Sequence, residues 1–193
     1  MDDLLRELRK DVVFFDESGG GVSFSGGEPL SQPEFLAAAL DACAAEDIHR
    51  VVDTSGFAPT EFLLRIAPKV DLFLFDLKLV DDARHRHFVG ASNQLILKNL
   101  RALAELGSAV IIRIPVIPGI NDDVVNLDAS LSLLSDVGLR DVSLLPYHRI
   151  ATDKYSRLGV EYPLAAVEPP TSEHMQQIAE RFRNEGFAVH IGG

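Results

Sequence analysis

Leu72-Phe73-Leu74-Phe75-Asp76-Leu77-Lys78 is apolar at four successive positions and then turns polar. A strand with one face in water alternates apolar and polar residues, whereas a strand covered on both faces does not. Residues 72–77 therefore read as a strand inside a parallel sheet, ending in a carboxylate and an amine. Similar short β-rich runs occur at 21–25, 50–54, 109–117, 142–145 and 188–191. Between them the apolar spacing changes to three and four, the period of a helix.

Those helical stretches are 33–45, 60–67, 94–106, 123–137 and 172–185. Their ends carry the expected signals. Ser31 or Gln32 caps the first, with Pro33 in its first turn. Ser92 or Asn93 precedes the third and Gly107 follows it. Gly138 closes the fourth, and the fifth runs from Thr171 to Gly186. The first ten residues, MDDLLRELRK, put acids before bases, which suits an amphipathic helix and its dipole. Strand and helix alternate throughout, so the fold class is α/β with parallel strands and right-handed crossovers. An open doubly wound sheet and a partial barrel both fit. No linker divides residues 1–193, which read as a single domain. The irregular region 147–170 exceeds ordinary loop length and is expected to be functional.

Composition narrows the function. The 193 residues are 47% hydrophobic and 24% charged, enough for a sizeable core, and the formal net charge is −11. That charge repels nucleic acid and anionic membrane surfaces. Cys43 is the one cysteine, so no internal disulfide forms and a reducing compartment is expected. No apolar run approaches the roughly 18 residues of a membrane span. The start MDDLLRELRK is not a secretory signal. The expectation is a cytoplasmic protein with no nucleic-acid or membrane partner.

Ligands of parallel α/β folds sit beyond the carboxyl ends of the strands. In order those ends carry Gly26-Gly27-Glu28, Asp53-Thr54-Ser55-Gly56, Asp76-Leu77-Lys78, then Arg113 within its strand, Pro118-Gly119-Ile120-Asn121-Asp122 after it, and Pro146-Tyr147-His148. Each alone has an ordinary explanation. Glu28 suits a solvated turn, Asp53 a turn or cap, and Arg113 a buried ion pair. Asp76 and Lys78 lie two apart on one strand face and suit a pair with each other. His148 suits a structural histidine. In series on one rim they point to a polar pocket with both signs of charge, fit for a zwitterionic ligand. No GxxxxGK[ST], HExxH, paired CxxC or GxSxG occurs. His85 and His87, in the charged run 81–87, read as a solvated loop rather than a metal pair.

The segments GGVSFSGGEPLSQPEF, VVDTSGF, DLFLFDLKLVDDARHRHFVGASN, IIRIPVIPGINDD and LLPYHRIATDKYSRLG resemble, in order, the radical SAM enzymes. Specifically they resemble the activating enzymes of glycyl radical enzymes, of the pyruvate formate-lyase activating type. The likeness covers nearly the whole chain. The closing KYSRLGVEYPL and IGG look like members with a ferredoxin-like insert, which activate diol-dehydratase-like, choline-lyase-like or arylacetate-decarboxylase-like partners.

The resemblance implies a partial (β/α) barrel of the radical SAM type and S-adenosyl-L-methionine as cofactor. Gly26, Gly27 and Glu28 would hold its amino-acid end, Glu28 offering a carboxylate to the ammonium. Asp76 and Lys78 would contact the methionine carboxylate, amino group or ribose. His148 would lie against the cofactor, Asp53 and Thr54 would shape the pocket, and Arg113 would touch the cofactor or the partner's glycyl loop. It also implies a 4Fe-4S cluster on CxxxCxxC, a glycyl radical enzyme as protein substrate, and an electron donor such as flavodoxin or ferredoxin. The cluster cysteines are absent from this sequence. The expectation is a chain truncated at the N-terminus, lacking the first strand, with no catalytic or metal residue of its own and inactive alone. Loss of that strand would expose the edge of 21–25. The alternative is a cluster-less α/β module that binds a nucleotide-like ligand or a protein partner.

Overall fold

The computed structural model describes residues 1–148, 164 and 166–192. Most of the 147–170 region therefore lies outside the described residues. Two short helices, α1 (Asp2–Leu8) and α2 (Val12–Ser18), lead into β1 (Gly21–Phe24). Then follow α3 (Pro33–Ala44), β2 (His49–Thr54), α4 (Thr60–Ile66), β3 (Leu72–Asp76), α5 (Asp82–Val89), α6 (Gln94–Glu105), β4 (Val110–Val116), α7 (Val124–Asp136), β5 (Asp141–Pro146), α8 (Ser172–Asn184) and β6 (Ala188–Ile191). The strands expected from the sequence are all present. All pair in parallel, in the sequential order β1-β2-β3-β4-β5-β6.

That order decides between the two architectures left open by the sequence. A doubly wound sheet reverses its strand order at a switch point. This sheet never reverses, so right-handed crossovers carry every helix to the same face. Burial records the result. Val110, Ile112, Ile114 and Val116 are buried on β4, while Ile111, Arg113 and Pro115 between them are half-buried. On β3, Phe73 and Phe75 are fully buried; Leu72, Leu74 and Asp76 are not. The buried set joins Leu36 and Leu40 of α3, Leu63 and Ile66 of α4, Leu100 and Leu103 of α6, Leu134 of α7 and Phe182 of α8 in one core. The open six-stranded sheet is thus a partial barrel of the radical SAM type, covered by helices on one face.

This corrects the expectation that 72–77 is covered on both faces. The inner-facing Leu72, Leu74 and Ile111 are apolar yet only partly buried, so an apolar run does not by itself show cover on both faces. The charged run 81–87 is corrected too. It is no loop but most of α5, whose N-cap Asp81 accepts from the Arg84 amide at 2.7 Å and whose C-cap Gly90 is left-handed. Capping rather than an apolar stripe makes this helix, which is why periodicity misses it. His85 is 2% exposed and its Nδ1 lies 2.7 Å from the Ala91 carbonyl oxygen. β1 pairs with β2 alone among the described residues, so its other edge is unpaired there.

Candidate functional site

β1 runs out through Ser25, Gly26 and Gly27 into Glu28. The Glu28 carboxylate is fully engaged by the protein. Oε1 accepts from the Leu30 amide (3.1 Å) and the Thr54 hydroxyl (2.6 Å). Oε2 accepts from the Ser55 amide (3.0 Å) and the Ser55 hydroxyl (2.5 Å). Charge-assisted bonds of this kind are the strong ones. Glu28 therefore laces the end of β1 to the end of β2. Thr54 belongs to that lacing and not to the inner wall. Strand alternation turns it to the helix side, where it is 2% exposed and its hydroxyl also accepts from the Gly56 amide (2.9 Å).

The register sets the inner wall. Asp53 pairs with Leu74, Leu74 with Ile111, and Asp76 with Arg113 directly across from it. These residues share the face away from the helices. Arg113 is the hub. Its Nε and Nη2 donate to Asp76 Oδ1 at 3.0 and 2.8 Å, and its Nη2 also donates to Asp53 Oδ1. Asp53 Oδ2 accepts from the Ser25 hydroxyl at 2.9 Å. Asp76 Oδ2 faces Lys78 Nζ at 3.4 Å. The side chains of Arg113, Asp53 and Asp76 are 20–22% exposed, and that of Lys78 is 37% exposed. Two carboxylates and two cations thus stand together over the ends of β1 to β4, only partly shielded. The Asp76–Lys78 pair expected from the sequence exists, but the Arg113 fork is the shorter contact.

Two glycine sites differ in kind. At Gly56, φ is +71° and an added Cβ would lie 2.3 Å from the Phe75 ring, so the fold itself demands glycine. At Gly26 and Gly27 an added Cβ would meet nothing within 4 Å. Gly27 also lacks a left-handed φ, so no packing or backbone constraint explains it. An uncovered backbone beside a mixed-charge rim fits a ligand that lies on the main chain.

His148 stands exposed just beyond β5, and no hydrogen bond joins it to these groups among the described residues. Sequence reading passed over Ser25 and Ser55. Strand alternation could have found Ser25, since Ser23 pairs with Val51 and places Ser25 on the face of Asp53. A cavity of about 180 Å³ opens between Ser55, Phe57, Asp76, Lys78 and Val89. A wider hollow of about 610 Å³ lies between Pro118, Gly119, Thr171 and His174, and none of the charged network lines it.

A one-faced parallel sheet with a mixed-charge rim at its strand ends defines a partial barrel. Residues 1–130 match the Radical SAM superfamily, and the chain belongs to that family. It is 41% identical over 194 residues to the trans-4-hydroxy-L-proline dehydratase activating enzyme of Clostridioides difficile, covering 99% of this chain and 64% of that protein. It is 37% identical to the pyruvate formate-lyase 2-activating enzyme of Escherichia coli K12, covering 100% of this chain and 66% of that protein. A crystal structure of a domain of pyruvate-formate lyase-activating enzyme from Bacteroides vulgatus superposes with a TM-score of 0.76 at 36% identity, covering 90% of this chain and 99% of that one. Within the superfamily, the relatives that the chain resembles here are named as activating enzymes. It spans just under two thirds of the length of these two curated relatives. The superfamily implies S-adenosylmethionine and a 4Fe-4S cluster. No helix among the described residues is long and apolar enough to cross a membrane.

Proposed function

We propose that this chain forms the S-adenosylmethionine-holding body of an activating enzyme whose protein substrate is a glycyl radical enzyme. The observation that carries this reading is the Asp53–Arg113–Asp76–Lys78 network standing beside the uncovered Gly26-Gly27 backbone. A methionine end is a zwitterion and needs acceptors and donors within reach of each other. Asp53 and Asp76 offer acceptors to its ammonium, and Lys78 and Arg113 offer donors to its carboxylate. Gly26 and Gly27 let it lie against the main chain. Glu28 already accepts four bonds. Its part is to hold the glycines and Thr54 in place, and the ammonium falls to the backbone and the aspartates. His148 would close the rim beyond β5.

Asp53, Asp76, Lys78 and Arg113 would hold the methionine end of S-adenosylmethionine, and that cofactor beside a reduced four-iron cluster would supply radical chemistry toward a glycine of the partner. The residues of this chain do not fit that cluster. Fe–S clusters take thiolates, the sequence has one cysteine, and Cys43 is fully buried on α3, where burial pushes its thiol up. The chain's share of the chemistry is therefore binding and orientation. A glycyl radical enzyme as substrate belongs to the same proposal, supported by relatives named as activating enzymes; a flavodoxin or ferredoxin as electron donor rests on the family resemblance alone. The missing thiolates also favour a second reading, a module that holds a nucleotide-like ligand without a cluster.

The test is a calorimetric titration of S-adenosylmethionine into the wild type and Gly27→Ala. Binding that weakens about tenfold in the variant, a loss on the scale of one charge-assisted bond, with an unchanged thermal midpoint, supports the reading. No binding by the wild type overturns it. Equal affinity in the variant removes Gly27 from the site. Tighter binding of ATP than of S-adenosylmethionine favours the second reading.

A further inference from the structure

Three buried asparagines surround the segment that carries Lys78. Asn93, Asn121 and Asn126 are each 2% exposed. Asn121 Nδ2 donates to the Lys78 carbonyl (3.0 Å) and to the Pro115 carbonyl (2.5 Å), and its Oδ1 accepts from the Ile117 amide (2.8 Å). Asn93 Nδ2 donates to the carbonyls of Leu79 (2.9 Å) and Val80 (2.7 Å). Asn126 Oδ1 accepts from the Val80 amide (3.2 Å), and its Nδ2 donates to the Asn121 carbonyl (2.9 Å). Three consecutive carbonyls beyond the end of β3 thus take side-chain amides from residues 13 to 43 positions away.

A buried segment leaving a sheet must place its backbone polar groups somewhere. Solvation of an irregular turn would satisfy that need at less cost in buried polar side chains. Here the turn is clamped instead, with Leu77 and Leu79, each 2% exposed, anchored on either side of Lys78. The ammonium of Lys78 has no comparable anchor. Its ion pair with Asp76 is 3.4 Å long, against 2.8 and 3.0 Å for the Arg113 fork. A lysine stem has four rotatable bonds and a compact, strongly hydrated charge. What fixes its reach is the backbone from which it starts.

We propose that Asn121 is a positioning residue for Lys78. By gripping the Lys78 carbonyl, with Asn93 and Asn126 completing the cage, it sets where the Lys78 ammonium stands against Asp76 and against the cofactor's carboxylate. This rests on the rim being the S-adenosylmethionine site. Asparagine is required because both amide hydrogens are used on carbonyls while the amide oxygen accepts. An aspartate would set a carboxylate against two carbonyl oxygens.

The experiment is a double-mutant cycle on S-adenosylmethionine affinity, with Asn121→Ala, Lys78→Ala and both together, and thermal midpoints recorded for each. Asn121→Ala alone is expected to weaken binding about fivefold, the scale of one lost hydrogen bond. In the Lys78→Ala background it is expected to add nothing measurable. An equal loss in both backgrounds means a general structural role and overturns the proposal. If Asn121→Ala does not fold, Asn126→Ala, which gives up a single bond to the turn, takes its place in the same cycle. A wild type that binds no S-adenosylmethionine sinks the cofactor reading, and the cage is then judged without ligand. Labelling of Lys78 by an amine-reactive ester should rise in Asn121→Ala while Lys69, paired with Asp41, stays constant. Unchanged Lys78 labelling overturns the proposal.

Discussion

β3 carries two regions of opposite character on one five-residue strand. Phe73 and Phe75 turn toward the helices and are fully buried; Leu72, Leu74 and Asp76 turn inward and are only partly buried. The outer face packs mainly against an apolar core, with the buried, hydrogen-bonded Thr54 beside Phe75 as a polar neighbour. The inner face mixes aliphatic residues with a charge network whose members remain about one fifth exposed. Stability and site chemistry are thus separated by strand alternation alone. Residues one position apart answer to different physics.

The comparison breaks or holds at neighbouring positions. Phe75→Ala should cost about 3–5 kcal/mol, because a large aromatic leaves a cavity in close-packed surroundings. Leu74→Ala, next to it but half-buried, should cost about 1–2 kcal/mol. Chemical denaturation of both reads this directly, and equal losses would abolish the distinction between the faces.

Within the inner face, Arg113→Met should cost about 1–3 kcal/mol, the range for lost bonds to charged groups with exposure reducing it. It strands Asp53 and Asp76 together without their shared cation. Added salt should recover part of that loss by screening, and Arg113→Lys should recover only part because the fork is gone. A loss insensitive to salt would mean the network works by packing.

The smallest effect is at α5, next to the rim. The Ser92 hydroxyl (2.6 Å) and then Arg86 (2.8 Å) hold the Asp82 carboxyl down at about 2. A carboxyl depressed in the folded state contributes above its unfolded value of about 4, and that contribution is lost as pH falls through the folded value. Amide exchange in α5 should therefore quicken between about pH 4 and pH 2, ahead of β3, and Asp82→Asn should flatten the response. Simultaneous loosening of α5 and β3 would contradict a local effect.

Much of the fold was legible because its signals are local. Apolar runs, helical spacing, cap residues and closing glycines placed the strands and most helices within a residue or two. The rim residues were found because strand ends are where such folds put ligands. What escaped depends on contacts between distant positions. Glu28 reads as a carboxylate free for a ligand, yet Thr54 and Ser55, 26 and 27 positions on, fill it. α5 escaped for a different reason, since its caps and not its periodicity define it. Asn121 looked like one more rim residue and is buried beneath the rim.

By itself the sequence determined the order of elements, the parallel class, the identity of the polar strand ends and the lack of cluster thiolates in this chain. These follow from residue type and short spacing. Only the tertiary structure decided that the strands run in unbroken order with helices on one face, that Arg113 rather than Lys78 is the principal partner of Asp76, and that asparagines from elsewhere in the chain grip the turn below Lys78. Hydrogen-bond partners are chosen by geometry in three dimensions, and a polar side chain does not record in its own sequence neighbourhood which distant group will satisfy it.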